Sequence, residues 1–497
     1  MTDARTPRTL RNRIGDRDLP ASDGATLEVR SPGGGGVSSL IPRSTGADVD
    51  AAATVARAAF ASWSQTPAPV RGELLFRAAT LLTERKEAIA AVMSREMGKR
   101  VEEARGDIQE AIDTAYYAGS EGRRLFGKTA PSELQNKLGF TLRRPLGVAG
   151  IITAWNFPIA VPSWKILPAL VCGNTLVWKP AEEAPESGHM FAECLWDAGI
   201  PAGVLNVVHG RGEEVGKALV RHPTVNVLAF TGSTAVGREI AEVGGRMLKR
   251  VSLELGGKNP VIVLPDADLD LAVDGILWGA FGTAGQRCTA TSRCICVGGV
   301  EAALLPRLLA RATALKVGDA ADPNMEVGPL ISAQHRARVQ AYVDTAVAEG
   351  AVVRCGGKIP EGPGNYYPPT VIDGVQPGST LALEEVFGPV LAVLTAPDLD
   401  RAIEIANEVE YGLSSSIYTR DVNRAFRAVD RIEAGITYVN APTIGAEAHF
   451  PFGGVKATGN GHREGGWMPY EFFTEVKTVY VDFSGALQRA QIDNRDD

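Results

Sequence analysis

The sequence has little cysteine for its length, with six among 497 residues. Six cysteines in so long a chain do not make a dense disulfide framework. Cys294 and Cys296 lie in an apolar stretch, SRCICV, where a strand would place both on one face. No further cysteine or histidine follows at the spacing of a zinc ligand set. We therefore predict no metal site and interpret the pair as reduced, buried thiols.

Long apolar runs are also missing. Nowhere do about 18 apolar residues follow one another without a charge or a helix breaker, so we predict no membrane span. The N-terminal segment is polar and lacks the apolar core of a secretory signal, while Asp3, Asp16 and Asp18 argue against a transit peptide. We expect a cytoplasmic protein with no membrane partner.

The charge balance excludes one more class of partner. The chain has 51 Lys and Arg against 58 Asp and Glu, a net charge of −7. This balance gives no electrostatic reason to expect nucleic acid, although a local basic patch can still hold an anionic cofactor. Because 497 residues exceed one compact core, we expect two or three domains.

Apolar periodicity predicts an α/β protein. The region from about 47 to 98 has helical spacing, interrupted at Pro67 and Pro69. From about residue 147 short apolar strands alternate with helices, and a second alternating set extends from about 260 to 438. Such alternation predicts parallel, doubly wound sheets. The tail at 471–483 alternates like a strand that needs a partner, for which another subunit is the candidate.

Two segments are candidates for holding a nucleotide. In VNVLAF–TGS–TAVGREIAE a strand, a turn and a helix follow one another, and the free amides at the helix start offer an anion site. The segment lacks the GxGxxG fingerprint, so a standard dinucleotide site does not follow from it. KPAEE (179–183) places a lysine and acids at the end of a predicted strand, where they can hold ribose hydroxyls or form a solvated loop.

Three further residues are candidates for catalysis. Cys288 in FGTAGQRCTA can be an exposed nucleophile, provided that donors or positive charge stabilise its thiolate, or a merely buried thiol. Glu254 in LELGGKNP lies in apolar surroundings that would raise its pKa and suit a general base, but a paired structural carboxylate also fits. Asn156 in WNFP offers an oxyanion donor, or is a turn residue before Pro158.

Taken together, the order and spacing of these segments are more informative than any one of them. WNFP, KPAE, FTGS, LELGGK, GQRC, EEVFGP and PFGGVK occur in the order and at the spacing of the aldehyde dehydrogenase superfamily, which the chain resembles from about residue 20 to 483. The resemblance implies an α/β fold with two doubly wound parallel-sheet domains and a β oligomerisation arm, and therefore a homodimer or homotetramer. The implied units are an NAD-binding domain (1–126 and 146–256), a catalytic domain (257–470) and the arm (127–145 and 471–497).

The resemblance also implies a reaction. An aldehyde would be oxidised to its acid with NAD(P)+ through a thiohemiacetal and a thioester on Cys288, with Asn156 at the oxyanion and Glu254 as the base that hydrolyses the thioester. Branches that transfer the acyl group to coenzyme A commonly lack this base, so Glu254 favours free acid. Glu464 in HREGG matches a second acid near a proton exit path. A non-catalytic relic, a cofactor-independent esterase and a coenzyme-A-acylating enzyme remain the rival classes.

By the same likeness a set of residues binds the cofactor. Lys179 and Glu182 would hold the adenosine ribose, and Glu385 and Phe387 the nicotinamide ribose and ring. A carboxylate at Glu182 would accept a hydrogen bond from a 2′-OH and repel a 2′-phosphate, so we predict NAD, with NADP possible. The implied cofactor positions are Thr153, Trp155, Lys179, Glu182, Gly212, Phe230, Thr231, Gly232, Ser233, Glu385 and Phe387.

The substrate side is less defined. Segments 412–421, 440–454 and 459–466 resemble branches that oxidise semialdehydes carrying a carboxylate, such as α-ketoglutaric and α-aminoadipic semialdehydes. The guanidinium of Arg287, one residue before Cys288, can pair with that carboxylate. Alternatively, an apolar tunnel would accept aliphatic or aromatic aldehydes broadly. The implied substrate positions are Phe157, Arg287, His449 and Phe450.

Overall fold

The structure is a computed structural model that describes residues 7–492. The first six and last five residues of the predicted domain ranges lie outside the described residues. The strands are β1 (Arg8–Thr9), β2 (Asn12–Ile14), β3 (Arg17–Leu19), β4 (Thr26–Arg30), β5 (Val37–Pro42), β6 (Thr129–Pro131), β7 (Lys137–Pro145), β8 (Val148–Ile152), β9 (Thr175–Lys179), β10 (Leu205–Val207), β11 (Val225–Thr231), β12 (Arg250–Glu254), β13 (Asn259–Val263), β14 (Thr291–Val297), β15 (Val352–Cys355), β16 (Thr370–Asp373), β17 (Val390–Ala396), β18 (Tyr411–Gly412), β19 (Ser414–Tyr418), β20 (Ile436–Val439), β21 (Val455–Lys456) and β22 (Thr474–Asp482).

The helices are α1 (Gly46–Trp63), α2 (Ala68–Met97), α3 (Val101–Glu121), α4 (Ala160–Cys172), α5 (Pro185–Asp197), α6 (Lys217–Arg221), α7 (Thr234–Arg246), α8 (Leu269–Phe281), α9 (Glu301–Ala314), α10 (Ala333–Ala348), α11 (Thr380–Leu383), α12 (Leu399–Asn407), α13 (Val422–Arg431) and α14 (Met468–Phe472). The predicted break near Pro67 is confirmed, because α2 begins at Ala68 and has Pro69 in its first turn, where a missing N–H costs little. In the described part of the chain no helix is long and apolar enough to cross a membrane.

The first large sheet has the strand order β12-β11-β8-β9-β10-β2-β3. Its five strands from β12 to β10 run parallel, as predicted. The hairpin β2–β3 adds two antiparallel edge strands that the polar N-terminal sequence did not indicate. Asn12 explains their attachment, since its buried side chain accepts a hydrogen bond from the backbone N–H of His209 at 2.8 Å.

Both faces of this sheet are covered by helices. Along β11 alternate side chains enter opposite cores: Val227 and Ala229 pack in the core with α2 to α5, while Leu228 and Phe230 pack in the core with α1, α6 and α7. This arrangement explains why the strand is an unbroken apolar run.

The second large sheet has the order β15-β16-β17-β14-β13-β19-β20. All its strands run parallel except β15, which is antiparallel at the edge. In β14 the thiols of Cys294 and Cys296 are buried and their sulfurs lie 3.8 Å apart, as the alternation predicted. The two doubly wound sheets confirm the predicted fold class.

A third sheet stands apart from these two. It is antiparallel, with the order β22-β7-β6. The expectation that the C-terminal strand takes its partner from another subunit was wrong, because β22 pairs with β7 of the same chain over nine residues. β7 lies in the middle of this sheet, with β6 paired along its other edge. The assignment of the three sheets to cofactor, catalytic and oligomerisation units stays a prediction.

Candidate active site

A cavity of about 1220 Å³ lies between the two large sheets, at the carboxyl ends of the strands of the first. Its wall is formed by α3, α4, the start of α7, one face of α10 and the loops that join them. Open α/β sheets bind ligands at this end of their strands. The cavity is therefore the candidate site.

Cys288 lines the cavity after a tight turn. Thr283 and Ala284 have left-handed backbone angles, with φ of 51° and 53°, and Gly285 follows with φ of 68°. A Cβ at Gly285 would overlap the carbonyl oxygen of Gly388, so the turn requires glycine. The turn ends α8 and directs the following segment into the cavity.

The thiol of Cys288 is partly buried and packs in an apolar cluster with Trp164. Burial raises its pKa to about 12, and the charges of Glu385 and Glu254 raise it further. The charged groups that act on the thiol are therefore acidic, whereas the sequence led us to expect a positive charge near it. At neutral pH the resting thiol keeps its proton, so its attack on a substrate requires a base.

Glu254 ends β12 and is 3% exposed. Neither carboxyl oxygen has a hydrogen-bond partner in the part of the chain that the structure describes. Burial raises its pKa well above the usual value, and Glu464 adds to the shift, whereas Lys165 opposes it. A raised pKa makes a carboxylate a stronger proton acceptor, which favours the role of a general base. An ion-paired structural carboxylate is not what the structure has at this position.

Asn156 lines the cavity directly after Trp155, in the loop that follows β8. Its Nδ2 donates to the carbonyl oxygen of Gln286 at 3.1 Å, two residues before Cys288. The amide has a second hydrogen, which an oxyanion at the reacting carbon can accept. One hydrogen bond thus joins the predicted donor to the segment that leads to Cys288.

Glu464 forms a buried ion pair with Lys165 on α4. Lys165 also donates to Oγ1 of Thr231 at 2.5 Å. Burial raises the pKa of Glu464, and the opposing charge of Lys165 limits that rise. The charge of Glu464 also raises the pKa of Glu254.

The positions predicted for the adenosine ribose meet behind the cavity, at the ends of β8 and β9. Nζ of Lys179 lies 2.6 Å from Oε2 of Glu182, and Oε1 of Glu182 accepts the backbone N–H of Gly212 at 3.2 Å. Although burial opposes it, Lys179 lowers the pKa of Glu182, which is therefore ionised. Thr153 accepts a hydrogen bond from Trp178 and supports the end of β9.

The end of β11 and the start of α7 supply the next group of predicted residues. Phe230 is buried, and Thr231, Gly232 and Ser233 line the cavity. Ser233 precedes α7 without capping its amides with its side chain, and Oγ1 of Thr234 is buried with no partner among residues 7–492. Uncapped amides and an unpaired hydroxyl at a helix start suit a phosphate group, so the residues present fit a dinucleotide.

Glu385 and Phe387 also line the cavity. Oε1 of Glu385 accepts the backbone N–H of Gly257 at 3.0 Å, and burial raises the pKa of Glu385 to about 7. Phe387 has a left-handed backbone, with φ of 58°, and its ring meets that of Trp155 edge-on at 5.5 Å. The structure brings both residues to the wall that carries Cys288.

The four predicted substrate positions are not equivalent. Phe157, Arg287 and His449 line the cavity, whereas Phe450 does not; its exposed ring stacks on His449 at 4.4 Å between centroids. Phe452 lines the cavity instead and packs on the ring of Trp164 at 4.6 Å.

Sequence reasoning missed further wall residues, which the structure brings in from helices. Trp164 on α4 and Trp278 on α8 belong to apolar helical stretches, where nothing in the sequence separates a wall residue from a core residue. The acidic face of α3 carried a signal, because its carboxyls recur at helical spacing. The acids of α3 that line the cavity are Glu102, Glu103, Asp107, Glu110 and Asp113.

The sequence also matches known proteins over almost its whole length. The sequence model of the aldehyde dehydrogenase family matches residues 19–479. An alpha-ketoglutaric semialdehyde dehydrogenase of Bacillus subtilis is 39% identical, over 95% of this chain and 98% of the relative. An alpha-ketoglutarate semialdehyde dehydrogenase of Haloferax volcanii is 41% identical, over 95% and 99%.

Similarity at this level extends to a relative with another substrate and to a solved structure. A betaine aldehyde dehydrogenase of Rhizobium leguminosarum is 40% identical, over 93% of this chain and 94% of the relative. The crystal structure of an NAD-dependent aldehyde dehydrogenase from Sinorhizobium meliloti is 37% identical and covers 98% of each chain, with a TM-score of 0.95.

Proposed function

Because the chain belongs to the aldehyde dehydrogenase family, we propose that it oxidises an aldehyde to the carboxylic acid with NAD+ through a thioester on Cys288. One observation carries the proposal: Cys288 lines the cavity, and the charge of the buried carboxyl of Glu254, which has no hydrogen-bond partner among the described residues, contributes to the raised pKa of its thiol. A nucleophile beside an unpaired base is the arrangement that covalent acyl chemistry requires.

The first step makes the aldehyde carbon tetrahedral. The proton of Cys288 passes to Glu254, the sulfur attacks the carbonyl carbon, and the new oxyanion is held by the amide of Asn156. Bound NAD+ supplies a positively charged ring that accepts the hydride lost from that carbon. Collapse of the adduct restores the carbon–oxygen double bond and leaves the acyl group on the sulfur.

The second step releases the acid. Glu254, after passing its proton toward the carboxylate of Glu464, takes a proton from water, and the hydroxide attacks the thioester carbon. The sulfur leaves and Cys288 is regenerated. This use of Glu254 supports free acid as the product and disfavours transfer of the acyl group to coenzyme A.

The cofactor preference rests on Glu182. Its carboxylate is held by Lys179 and by the N–H of Gly212, so it stands ready to accept a ribose 2′-OH. A 2′-phosphate at the same place would meet a fixed negative charge. We therefore propose NAD as the preferred cofactor, in line with the NAD-dependent structural relative, and NADP as a weaker one.

The substrate that we propose is a semialdehyde with a carboxylate at its far end. The two alpha-ketoglutaric semialdehyde dehydrogenases among the relatives support this class, and Arg287 lines the cavity one residue before the nucleophile. A cationic aldehyde is the second candidate, because five acids of α3 line the cavity and a betaine aldehyde dehydrogenase is equally similar.

The test is NADH formation at 340 nm, with wild type and Cys288→Ala. The aldehyde panel is matched in chain length and carries a carboxylate, no charge or a quaternary ammonium group. A higher kcat/KM for the carboxylate member supports the semialdehyde assignment, and a higher value for the cation replaces it with the second candidate. If Cys288→Ala reduces NAD+ at the wild-type rate, the thioester mechanism is wrong.

We also propose that the chain assembles as a homodimer or homotetramer through its third sheet. The support is β22, an edge strand on which Val476, Tyr480 and Val481 are exposed. An edge strand with exposed apolar side chains is an aggregation hazard unless another surface covers it. Light scattering of wild type and of Val476→Lys/Tyr480→Lys tests this: a monomeric variant supports the proposal, and an unchanged mass contradicts it.

A further inference from the structure

The backbone of Phe387 is held in a conformation that few side chains adopt. Its φ of 58° lies in the left-handed region, which disfavours a residue with a bulky side chain. Such a conformation persists only where the surroundings over-determine it. The surroundings of Phe387 are one face of α10.

Three side chains of α10 form hydrogen bonds with the segment that contains Phe387. Nε2 of His335 lies 2.7 Å from the carbonyl oxygen of Phe387, and Nη2 of Arg338 donates to the carbonyl oxygen of Glu385 at 3.3 Å. One turn further along, the hydroxyl of Tyr342 donates to a carboxyl oxygen of Glu384 at 2.8 Å. The spacing of three and four residues places these three side chains on one helix face.

The protonation state of His335 follows from its partner. A carbonyl oxygen only accepts, so Nε2 of His335 must carry the hydrogen. Burial lowers the pKa of His335, so at neutral pH the ring is uncharged with its hydrogen on Nε2. The bond to Phe387 is therefore a neutral N–H donated to a backbone oxygen.

The ring of His335 also joins an aromatic group at the cavity wall. It meets Trp155 at 6.2 Å and Phe387 at 6.1 Å between centroids, and Trp155 and Phe387 meet at 5.5 Å, all edge-on. Edge-to-face packing fixes the relative orientation of such rings. Because Trp155 directly precedes Asn156, the group connects the position of Phe387 with that of the oxyanion donor.

The residue after Phe387 continues this connection to the nucleophile. A Cβ on Gly388 would overlap the side chain of Val339 on α10, and the oxygen of Gly388 fills the space where a Cβ of Gly285 would stand. α10, the segment of Phe387 and the turn before Cys288 are therefore packed against one another without room for side chains.

We propose that His335 is a positioning residue for the nicotinamide side of the site: its Nε2–H fixes Phe387, and through it the ring against which the nicotinamide lies, relative to Cys288 and Asn156. The inference rests on the proposed function, which assigns Phe387 to the nicotinamide. His335 acts on hydride transfer through geometry and takes no part in the chemistry of the thiol.

Two substitutions separate the donor from the bulk of the ring. His335→Phe keeps a ring of similar size and removes the donor, whereas His335→Gln keeps an N–H that can reach the same oxygen. We expect His335→Phe to lower kcat for NAD+ reduction about tenfold, as small misplacements of reacting groups do, and His335→Gln to restore it to within about threefold of wild type. The affinity for NAD+, measured by calorimetry, should weaken in His335→Phe and recover in His335→Gln.

Two controls separate positioning from folding. Gln334→Ala, at an exposed neighbouring position on α10, should match wild type in every assay. The rate at which iodoacetamide alkylates Cys288 without cofactor, followed by mass spectrometry, should stay within about twofold in both His335 variants, because the thiol is untouched.

Each remaining outcome has one meaning. If His335→Phe keeps the wild-type kcat and NAD+ affinity, or if His335→Gln is impaired as much as His335→Phe, the positioning role is wrong. If His335→Phe and His335→Gln both lose alkylation rate and thermal stability to the same extent, His335 has a structural role and the positioning role is wrong. If wild type forms no NADH from NAD+ with any aldehyde of the panel, the proposed function fails, and the calorimetric order of wild type, His335→Gln and His335→Phe still decides the role of His335.

Discussion

The guanidinium of Arg287 is held by the carboxylate of Glu103, with 2.9 Å between Nη2 and Oε1. Nε of Arg287 donates to Thr283, and the rings of Phe157 and Trp278 lie 5.6 and 4.9 Å from the guanidinium carbon. The positive charge that precedes Cys288 in the sequence is therefore already paired. A carboxylate on the substrate has to share Arg287 with Glu103.

Glu103→Gln removes this competition. We expect the KM of a carboxylate-bearing semialdehyde to fall about three- to tenfold, because Arg287 regains an unpaired charge, and the KM of a neutral aldehyde to change little. The same change breaks a largely buried pair and should lower the free energy of unfolding by about 3 kcal/mol. Steady-state kinetics and urea unfolding measure the two effects.

Glu87→Gln is the matched control, because Glu87 pairs with Arg105 at the surface, outside the cavity, and a surface pair contributes little. An unchanged KM for the semialdehyde in Glu103→Gln would show that Arg287 does not bind the substrate carboxylate.

Glu254→Gln separates the two halves of the reaction. With no base for water, we expect steady-state NADH formation to fall about 10²- to 10⁴-fold, the usual contribution of a general base. The acyl group should then accumulate on Cys288, where intact-protein mass spectrometry after rapid quenching detects it. A variant that turns over slowly without any acyl adduct would place the loss before the thioester and contradict the hydrolytic role.

Glu182→Ala tests the cofactor preference. Removing the carboxylate leaves Lys179 without its partner at 2.6 Å, so the site exchanges a fixed negative charge for a free positive one. We expect the ratio of kcat/KM for NAD+ over NADP+ to fall about tenfold or more, since one charge reversal at close range is worth that much. Glu213→Ala, an exposed residue of the next loop, is the control. An unchanged ratio would mean that another group selects the cofactor.

The fold was largely predictable because buried parallel strands and amphipathic helices leave strong patterns. β8, β9, β11 and β13 are apolar runs, and their order along the chain already implied doubly wound sheets. The hairpin β2–β3 was not predictable, since its residues are mostly polar and its attachment includes buried amides, those of Asn12 and Asn206, whose partners lie about two hundred residues away.

The site was predictable where the chemistry is carried by a motif and unpredictable where it is carried by packing. Cys288, Glu254 and Asn156 stand in short motifs at strand and helix ends, and the structure brings them to one region. His335 and Glu110 stand on helix faces whose partners lie far along the chain. The pairing of Arg287 with Glu103, 184 residues apart, likewise leaves no local signal.

The pH dependence of substrate binding should be set by Glu110. This residue lines the cavity from α3, and its Oε1 is buried without a hydrogen-bond partner among the residues described. Burial raises the pKa of Glu110 to about 8, and the charge of Asp107 adds to the shift, while Lys99 and Arg287 oppose it. Below pH 8 the carboxyl is therefore neutral, and above pH 8 it carries a negative charge.

A negative charge on Glu110 repels the carboxylate of a semialdehyde and does not affect a neutral aldehyde. We expect the KM of the semialdehyde to rise between pH 7 and pH 9, by up to about tenfold per pH unit above the pKa, while the KM of a chain-matched neutral aldehyde stays level. Glu110→Gln, which cannot ionise, should flatten the semialdehyde profile at its low-pH value, and Glu84→Gln, at an exposed position of α2 outside the cavity, should leave the rise intact. If the rise persists in Glu110→Gln, another group titrates; if the KM falls with pH instead, the substrate end that reaches α3 is a cation, because an ionised Glu110 would then attract it.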